Sequence, residues 1–161
     1  MVKVLIKKLD EKVKLPEYKT TGSSGLDLTA FIEKKIVIKP GENALVPTGI
    51  SIAIPEDTEV QIRPRSGLAA KNNISVLNTP GTIDSDYRGE IKVILFNHGD
   101  KDFTVNNDDR IAQMILMPIL KVDFETVETL RDTIRGSGGF GSTGKWKIHC
   151  QNKCLRDTLD K

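Results

Sequence analysis

At 161 residues, with 38% hydrophobic and 5% aromatic content, the chain is long enough for one globular domain with a modest core. Its formal net charge of +2 is concentrated at the end: residues 145–161 hold five basic and two acidic side chains, so the preceding 144 residues are close to neutral. A near-neutral body argues against a basic face for nucleic acid. The charged N-terminal segment MVKVLIKKLD and the absence of a long apolar run argue against a signal peptide or a membrane span, so a cytoplasmic protein is expected.

Short runs rich in Ile and Val predict the strands of an all-β domain. They begin with VKVLI near residue 4 and continue with IVI at 36, ISIAI at 50, VQI at 60, IKVILF at 91 and RIAQMILM at 110. Ile50, Ile52 and Ile54 alternate with Ser51 and other small residues, which is the period of a half-buried strand. Strands at this spacing indicate a sandwich, a jelly roll or a barrel.

Two segments are candidates for helix. SGLAAK at 66–71 is one short turn of good helix formers after a proline, whereas RIAQMIL at 110–116 fits a helix or a strand. Beyond Phe124 the alternation fades, which is typical of a mobile arm. The expected division is a β domain over 1–125, an arm over 126–144 and a disordered basic tail over 145–161.

The segment RPRSGL at 63–68 joins a predicted strand to the short helical turn. A serine hydroxyl and free backbone N–H groups at a helix start, with a guanidinium nearby, can bind an anion. The same residues also fit a simple N-cap by Ser66 beside a surface arginine. The pattern leaves both interpretations open.

The segment VLNTPGTIDSDYRGEIKV at 76–93 predicts a polar hairpin between two apolar strands. Partial burial of Asp84 next to Ile83 would hold a carboxylate close to a substrate and tune it as a general base. Tyr87 can pack flat on a sugar, and Asn78 offers the donors and the acceptor that read an amide-like base edge. Each residue alone also fits ordinary turn geometry.

The stretch RGSGGFGSTG at 135–144 combines five glycines with short hydroxyls, one cation and one aromatic ring. Glycine lets backbone N–H groups approach an anion, Arg135 adds a permanent charge, and Phe140 can cover a flat nucleobase. The composition also fits a flexible linker. No Gly-Lys-Ser/Thr closes the stretch, so it is not a Walker loop.

Two weaker motifs and the tail complete the sequence. Asp27 in SGLDLTA and Gln113 in RIAQ are isolated polar side chains among apolar neighbours. In the tail, His149, Cys150 and Cys154 crowd one short segment with no partner pair, so free thiols are expected rather than a zinc site.

Five motifs therefore follow one another: SGLDLTA, RPRSGLA, NTPGTIDSDYRGEIKV, RIAQMIL and RGSGGFGSTG. In sequence and spacing, the chain resembles the trimeric deoxyuridine triphosphatase (dUTPase) family, most specifically in the third and fifth motifs. The resemblance implies a distorted jelly roll of the β-clip type that forms a homotrimer and hydrolyses dUTP to dUMP and pyrophosphate with Mg²⁺, which lowers dUTP and supplies dUMP for thymidylate synthesis. It also implies that the glycine-rich arm of one subunit closes over a pocket made by the other two.

The resemblance assigns roles to individual residues. Asp84 would position and activate the attacking water, and Tyr87 would stack on the deoxyribose and exclude a 2′-hydroxyl. Asn78 and the hairpin backbone would read uracil and leave no room for a 5-methyl group. The other implied substrate contacts are Gly81, Thr82, Ile83 and Lys92 in the hairpin segment, Arg65, Ser66, Gly67 and Gln113 at the phosphates, Arg135, Ser142 and Thr143 at the γ-phosphate, and Phe140 with Gly141 over the uracil. Asp27 would sit near the hydrated Mg²⁺ and contact it through water.

Two other functions fit parts of the pattern. A dCTP deaminase, mono- or bifunctional, resembles this chain in fold and in ligand, but the full arm and the IDSDY hairpin are typical of the hydrolase. A non-catalytic nucleotide-binding regulator would be expected to have lost Asp84 or the arm, and both are present. The chain departs from the family at Ser24, often Ala or Gly there, and in the tail beyond the usual end.

Overall fold

The computed structural model describes residues 2–139, which contain eleven β-strands and one short helix. The elements in chain order are β1 (Leu5–Lys8), β2 (Leu26–Thr29), β3 (Ile36–Ile38), β4 (Asn43–Pro47), β5 (Ile50–Ala53), β6 (Thr58–Arg63), α1 (Ser66–Asn72), β7 (Ile74–Val76), β8 (Gly81–Ile83), β9 (Lys92–Asn97), β10 (Phe103–Val105) and β11 (Arg110–Pro118). Each apolar run of the sequence coincides with a strand, which confirms the all-β prediction. None of the helices described in residues 2–139 is long and apolar enough to cross a membrane.

The strands form four antiparallel sheets. The largest has the order β2-β11-β6-β8, the second has the order β4-β9-β7, and the pairs β1-β5 and β3-β10 are two-stranded. The core cluster draws inward-facing side chains from both larger sheets, as in a β-sandwich. Its fully buried members include Leu28 and Val60 from the first sheet and Val46, Val93 and Leu95 from the second.

The ambiguous segment RIAQMIL is part of strand β11. This strand lies between β2 and β6, and both of its faces are covered, since Ile111, Ala112, Met114 and Ile115 are all buried. A strand buried on both faces reads as a continuous apolar run, so its period could not distinguish it from a buried helix.

One of the two interpretations left open at residues 63–68 and one local expectation are wrong. Ser66 is the first residue of α1 rather than its cap: Arg65 is the N-cap and makes no side-chain capping bond. Strand β5 is not half-buried at its start, because Ser51 is only 8% exposed. Strand β1 pairs with β5 here and places Lys7 opposite Ser51, and Leu5 and Arg88 line the same groove.

The polar hairpin lies between β7 and β9, which pair with each other in the second sheet. Within this connection, β8 belongs to the first sheet. It pairs with β6 there, with Gln61 opposite Thr82. The connection begins with a cis peptide bond at Thr79–Pro80. The hairpin therefore spans the two sheets instead of extending one of them.

The chain divides into two compact units, Met1–Val122 and Asp123–Lys161. All strands and the helix belong to the first unit. Residues 123–139 of the second unit have neither strand nor helix, and Phe124, Leu130 and Ile134 are almost fully exposed.

Candidate functional site

The hairpin and the strands beneath it form a pocket of about 290 Å³, called here the hairpin pocket. Strand β9 contributes Lys92 and Ile94, and strand β4 contributes Leu45. The remaining lining residues are Asn78, Thr82, Ile83, Asp84, Tyr87 and Glu90. Six residues that the sequence predicted as substrate contacts or as the general base thus lie around one cavity.

Asp84 and Tyr87 are both exposed in the single chain, and for Asp84 this differs from the prediction. Partial burial of Asp84 was expected, but its side chain is exposed. Asp84 lies in the turn that follows β8, where the N–H of Tyr87 donates to its carbonyl oxygen at 3.2 Å. Among residues 2–139, the turn leaves the Asp84 side chain exposed and the Tyr87 side chain 44% exposed.

A close approach of the backbone fixes the ring of Tyr87. Its hydroxyl donates to the carbonyl oxygen of Glu90 at 3.1 Å. The ring lies so close to Gly89 that a Cβ added there would be 2.3 Å from the hydroxyl oxygen. Only glycine therefore leaves room for the tyrosine in this orientation.

A second pocket, of about 350 Å³, lies where β2, β6 and β11 run side by side, and is called here the arginine pocket. Four cations and one carboxylate line it, together with serines, Gly25, Gln113 and Ile115. The charged residues are Lys19, Arg63, Arg65, Arg110 and Asp27. A pocket with this excess of positive charge can bind a small polyanion.

Asp27 holds two of these arginines in place. One carboxylate oxygen accepts from Arg65 Nε at 3.0 Å, and the other accepts from Arg110 Nη1 at 3.1 Å. Lys19, which also lines the pocket, donates a hydrogen bond to the Glu17 carboxylate outside the lining, and this bond and its positive charge lower the pKa of the Glu17 carboxyl. The two ion pairs with Asp27 therefore orient Arg65 and Arg110 before any ligand binds.

Gln113 lies in the arginine pocket because Gly25 has no side chain. A Cβ at Gly25 would be 2.7 Å from the Gln113 amide oxygen. The amide nitrogen donates to the carbonyl oxygen of Pro64 at 3.1 Å, in the connection between β6 and α1. The motifs around Gly25, Pro64 and Gln113 thus meet although they are far apart in the sequence.

The structure divides the predicted site residues into two groups. The hairpin residues line the hairpin pocket, while Asp27, Arg65 and Gln113 line the arginine pocket, and the two linings share no residue. Ser66 and Gly67 line neither pocket and are exposed, and Gly81 is buried against Asn78. Arg135 belongs to the second unit, and its Nε donates to Gly138 O at 2.8 Å. Phe140, Gly141, Ser142 and Thr143 lie outside the described residues, as do His149, Cys150 and Cys154.

Several lining residues were not predicted. Arg110 opens the RIAQ motif and Glu90 stands in the hairpin motif, so both were next to predicted residues. Lys19 had no sequence signal, since it comes from a polar loop whose path past the pocket depends on the tertiary fold. Leu45 and Ile94 read as ordinary strand residues.

The side chains of the described residues offer few ligands to a metal ion. In residues 2–139, no group of three or more His, Cys, Asp or Glu side chains is placed to hold a metal ion. Mg²⁺ commonly keeps several waters and binds through one or two carboxylates together with substrate phosphates. The described residues therefore fit an ion that enters with a phosphorylated ligand and contacts Asp27 through water, because both carboxylate oxygens already bind arginines.

Comparisons with known proteins agree with these features. The family model described as dUTPase matches residues 11–144. A deoxyuridine 5′-triphosphate nucleotidohydrolase of Rickettsia bellii (strain OSU 85-389) is 59% identical over 145 residues, covering 89% of this chain and 97% of the relative. The enzyme of the same name from Clostridium tetani is 57% identical over 140 residues, covering 87% and 95%.

Two phage structures share the fold. The Staphylococcus bacteriophage 80alpha dUTPase with dUPNHPP has a TM-score of 0.80 at 23% identity, covering 89% of this chain and 99% of that one. A variant dUTPase from phage phi11 of S. aureus, which coordinates a structural Mg(II) ion, has a TM-score of 0.73 at 20% identity, covering 81% and 99%.

The fold is an all-β domain of the dUTPase type, and its arginine pocket has an excess of positive charge. With the family model across most of the chain and relatives above 55% identity, the chain belongs to the dUTPase family. The predicted family, fold and enzyme class are confirmed.

Proposed function

We propose that the chain hydrolyses dUTP to dUMP and pyrophosphate, with Asp84 as the general base. The observation that carries the proposal is the hairpin pocket, which brings a carboxylate, an amide and an aromatic ring around one cavity. Membership of the dUTPase family supports the reaction, and the pocket supports the assignment of roles.

In this proposal, the hairpin pocket selects the nucleoside. Asn78 and the backbone of β8 bind the uracil edge through complementary donors and acceptors. Tyr87 packs on the deoxyribose, so a 2′-hydroxyl would lose its water and meet no partner. A missing hydrogen bond of this kind costs on the order of 1–3 kcal/mol, or about ten- to a hundredfold against a ribonucleotide.

The chemical step transfers one proton to Asp84. Its carboxylate accepts a proton from water while the water oxygen forms a bond to the α-phosphorus. The bond from the α-phosphorus to the bridging oxygen breaks, and pyrophosphate leaves with the electron pair of that bond. The exposed position of Asp84 allows water and substrate to reach the carboxylate.

The arginine pocket supplies phosphate contacts through Arg65 and Gln113, which the sequence predicted, and through Arg110. Mg²⁺, when bound, would neutralise phosphate charge and orient the triphosphate. Ser66 and Gly67 stand exposed at the start of α1, where their backbone can reach a phosphate. Arg135, Ser142 and Thr143 would clamp the γ-phosphate, with Phe140 and Gly141 over the base.

A homotrimer brings the two pockets of different subunits together in this proposal. Three aligned residues support it: Leu45 on β4 lies opposite Ile94 on β9, and Leu77, the residue after β7, donates its N–H to the carbonyl oxygen of Ile94, so the three form one row on the outer sheet face. Leu45 is 55% exposed and Leu77 50% exposed. The row continues into the hairpin pocket, which Leu45 and Ile94 line, so a second copy that covers the face would also complete the pocket.

The role of Asp84 is tested by Asp84→Asn. The amide cannot accept the proton, so kcat for pyrophosphate release is expected to fall by about 10²–10⁴-fold. Binding of the non-hydrolysable analogue dUPNHPP, measured by calorimetry, should stay within about threefold of wild type.

Asp86→Asn is the matched control, because Asp86 is an exposed carboxylate of the same hairpin that does not line the pocket. It should retain wild-type turnover. Near wild-type turnover by Asp84→Asn, or an equal loss in the control, would show that Asp84 is not the base.

A further inference from the structure

The end of the hairpin is tied to the turn between β4 and β5 by three hydrogen bonds. The Glu90 carboxylate accepts from the Gly49 N–H at 2.9 Å. The Thr48 hydroxyl donates to the carbonyl oxygen of Ile91 at 2.5 Å, and the Ile91 N–H donates to the carbonyl oxygen of Ile50 at 2.8 Å. Among these three contacts, the Glu90–Gly49 bond is the only one whose acceptor is a side chain.

The turn itself has little freedom to move. Gly49 is buried with φ of +71°, and a Cβ there would be 2.5 Å from Val13 Cγ2 and 2.9 Å from Phe31 Cδ1. Its N–H points at Glu90, and a buried backbone donor without a partner is costly. The turn is therefore a fixed support, and the half-buried Glu90 carboxylate is its contact with the hairpin.

Glu90 is linked to Tyr87 through its own backbone. The carbonyl oxygen of Glu90 accepts the Tyr87 hydroxyl, and the ring occupies the space that a Cβ of Gly89 would fill. A shift of residue 90 relative to the turn therefore moves the acceptor that orients the tyrosine. The second carboxylate oxygen is 3.5 Å from Lys92 Nζ on β9.

We propose that Glu90 is a positioning residue for sugar selection: its carboxylate fixes the hairpin on the Gly49 turn and thereby sets the Tyr87 ring. Glu90 acts through Tyr87 and not as the base. The effect on selectivity rests on the proposed contact of Tyr87 with the deoxyribose, whereas the effect on the ring does not.

The test compares Glu90→Ala with Glu90→Gln. Alanine removes the acceptor, so the ratio of kcat/KM for dUTP to that for UTP is expected to fall about tenfold. Glutamine keeps an oxygen for the Gly49 N–H and loses only the charge, so it should restore most of the ratio. Because both substrates are measured on one preparation, the ratio does not depend on the fraction of folded enzyme.

Glu59→Ala is the matched control. Glu59 is also half-buried and accepts a side-chain hydrogen bond, from Gln61 Nε2 at 2.6 Å, but lines neither pocket. It should leave the ratio within about twofold of wild type, even where it lowers the melting temperature. The ring is followed separately by NMR of ¹³C-labelled tyrosine in a Tyr18→Phe background, since Tyr18 and Tyr87 are the two tyrosines.

A changed Tyr87 signal with a reduced ratio in Glu90→Ala, both restored by Glu90→Gln, supports the proposal. A changed signal with an unchanged ratio supports the positioning of the ring and refutes the sugar contact of Tyr87. An unchanged signal overturns the proposal. A glutamine variant that behaves like alanine also overturns it, because the acceptor would then not be the cause.

Discussion

Single residues of the hairpin could be predicted from the sequence because their chemistry is unusual in a turn. A carboxylate, an aromatic ring and an amide within ten residues marked Asp84, Tyr87 and Asn78, and all three line one pocket. Glu90 could not be given its role in the same way, since its partner Gly49 is 41 residues away and only the fold brings them together. The exposure of Asp84 could not be predicted either, because the local sequence does not show how far the turn projects from the sheets.

At the residue scale, Gly89→Ala tests the close approach of the Tyr87 ring. The new Cβ would be 2.3 Å from the Tyr87 hydroxyl oxygen, so the ring must rotate out of its present orientation. We expect the dUTP-to-UTP ratio of kcat/KM to fall about tenfold or more.

Gly22→Ala serves as the control for this substitution, because a Cβ there has nothing within 4 Å. Its kinetics should match those of wild type. A Gly89→Ala enzyme with unchanged selectivity would show that the ring orientation does not determine the choice of sugar.

At the scale of elements, strands were predictable where their ends carry turn residues and one face is open. β11 was ambiguous because the sheets cover both of its faces. The pairing of β8 with β6 could not be predicted, since periodicity shows which residues form a strand but not which strand becomes its neighbour. That pairing places the hairpin across the two sheets and so shapes the pocket.

The turn between β4 and β5 gives a stability prediction with an internal control. Gly41 and Gly49 both have positive φ, at +76° and +71°, but only Gly49 would clash on gaining a Cβ. Gly41→Ala is expected to lower the free energy of unfolding by about 1 kcal/mol, from backbone strain alone. Gly49→Ala should lower it by about 2–4 kcal/mol, because overpacking adds to the strain.

Urea denaturation of both variants measures these differences. Equal losses at the two positions would mean that the core yields around Gly49, and the turn would then not be the fixed support that the hairpin requires.

At the scale of the whole molecule, the homotrimer and its shared site were predicted from the resemblance to the dUTPase family, because a single chain cannot show contacts between subunits. The two pockets of the chain share no lining residue, so the shared site of a homotrimer remains a proposal supported by the apolar row on the second sheet. The domain limits at 125 and 144 and the cytoplasmic location also remain predictions. Their causes lie in subunit contacts and cellular context, which the pattern of one sequence does not specify.

Truncation after Thr133 separates assembly from closure of the site. The shortened chain keeps the apolar row and every strand described in residues 2–139, so a folded trimer is expected by light scattering. It loses Arg135, Phe140 and the rest of the glycine-rich motif, so kcat/KM for dUTP should fall at least about a hundredfold. Monomers would refute the proposed interface, and full activity would refute the role of the arm.

The central claim is that this chain selects and hydrolyses dUTP, and the most direct measurement is pyrophosphate release from dUTP, dTTP, UTP and dCTP, with and without Mg²⁺. We expect Mg²⁺-dependent release from dUTP, with kcat/KM at least about tenfold above that for each of the others. Ammonia release from dCTP, or hydrolysis of UTP or dTTP at the rate of dUTP, would contradict the claim.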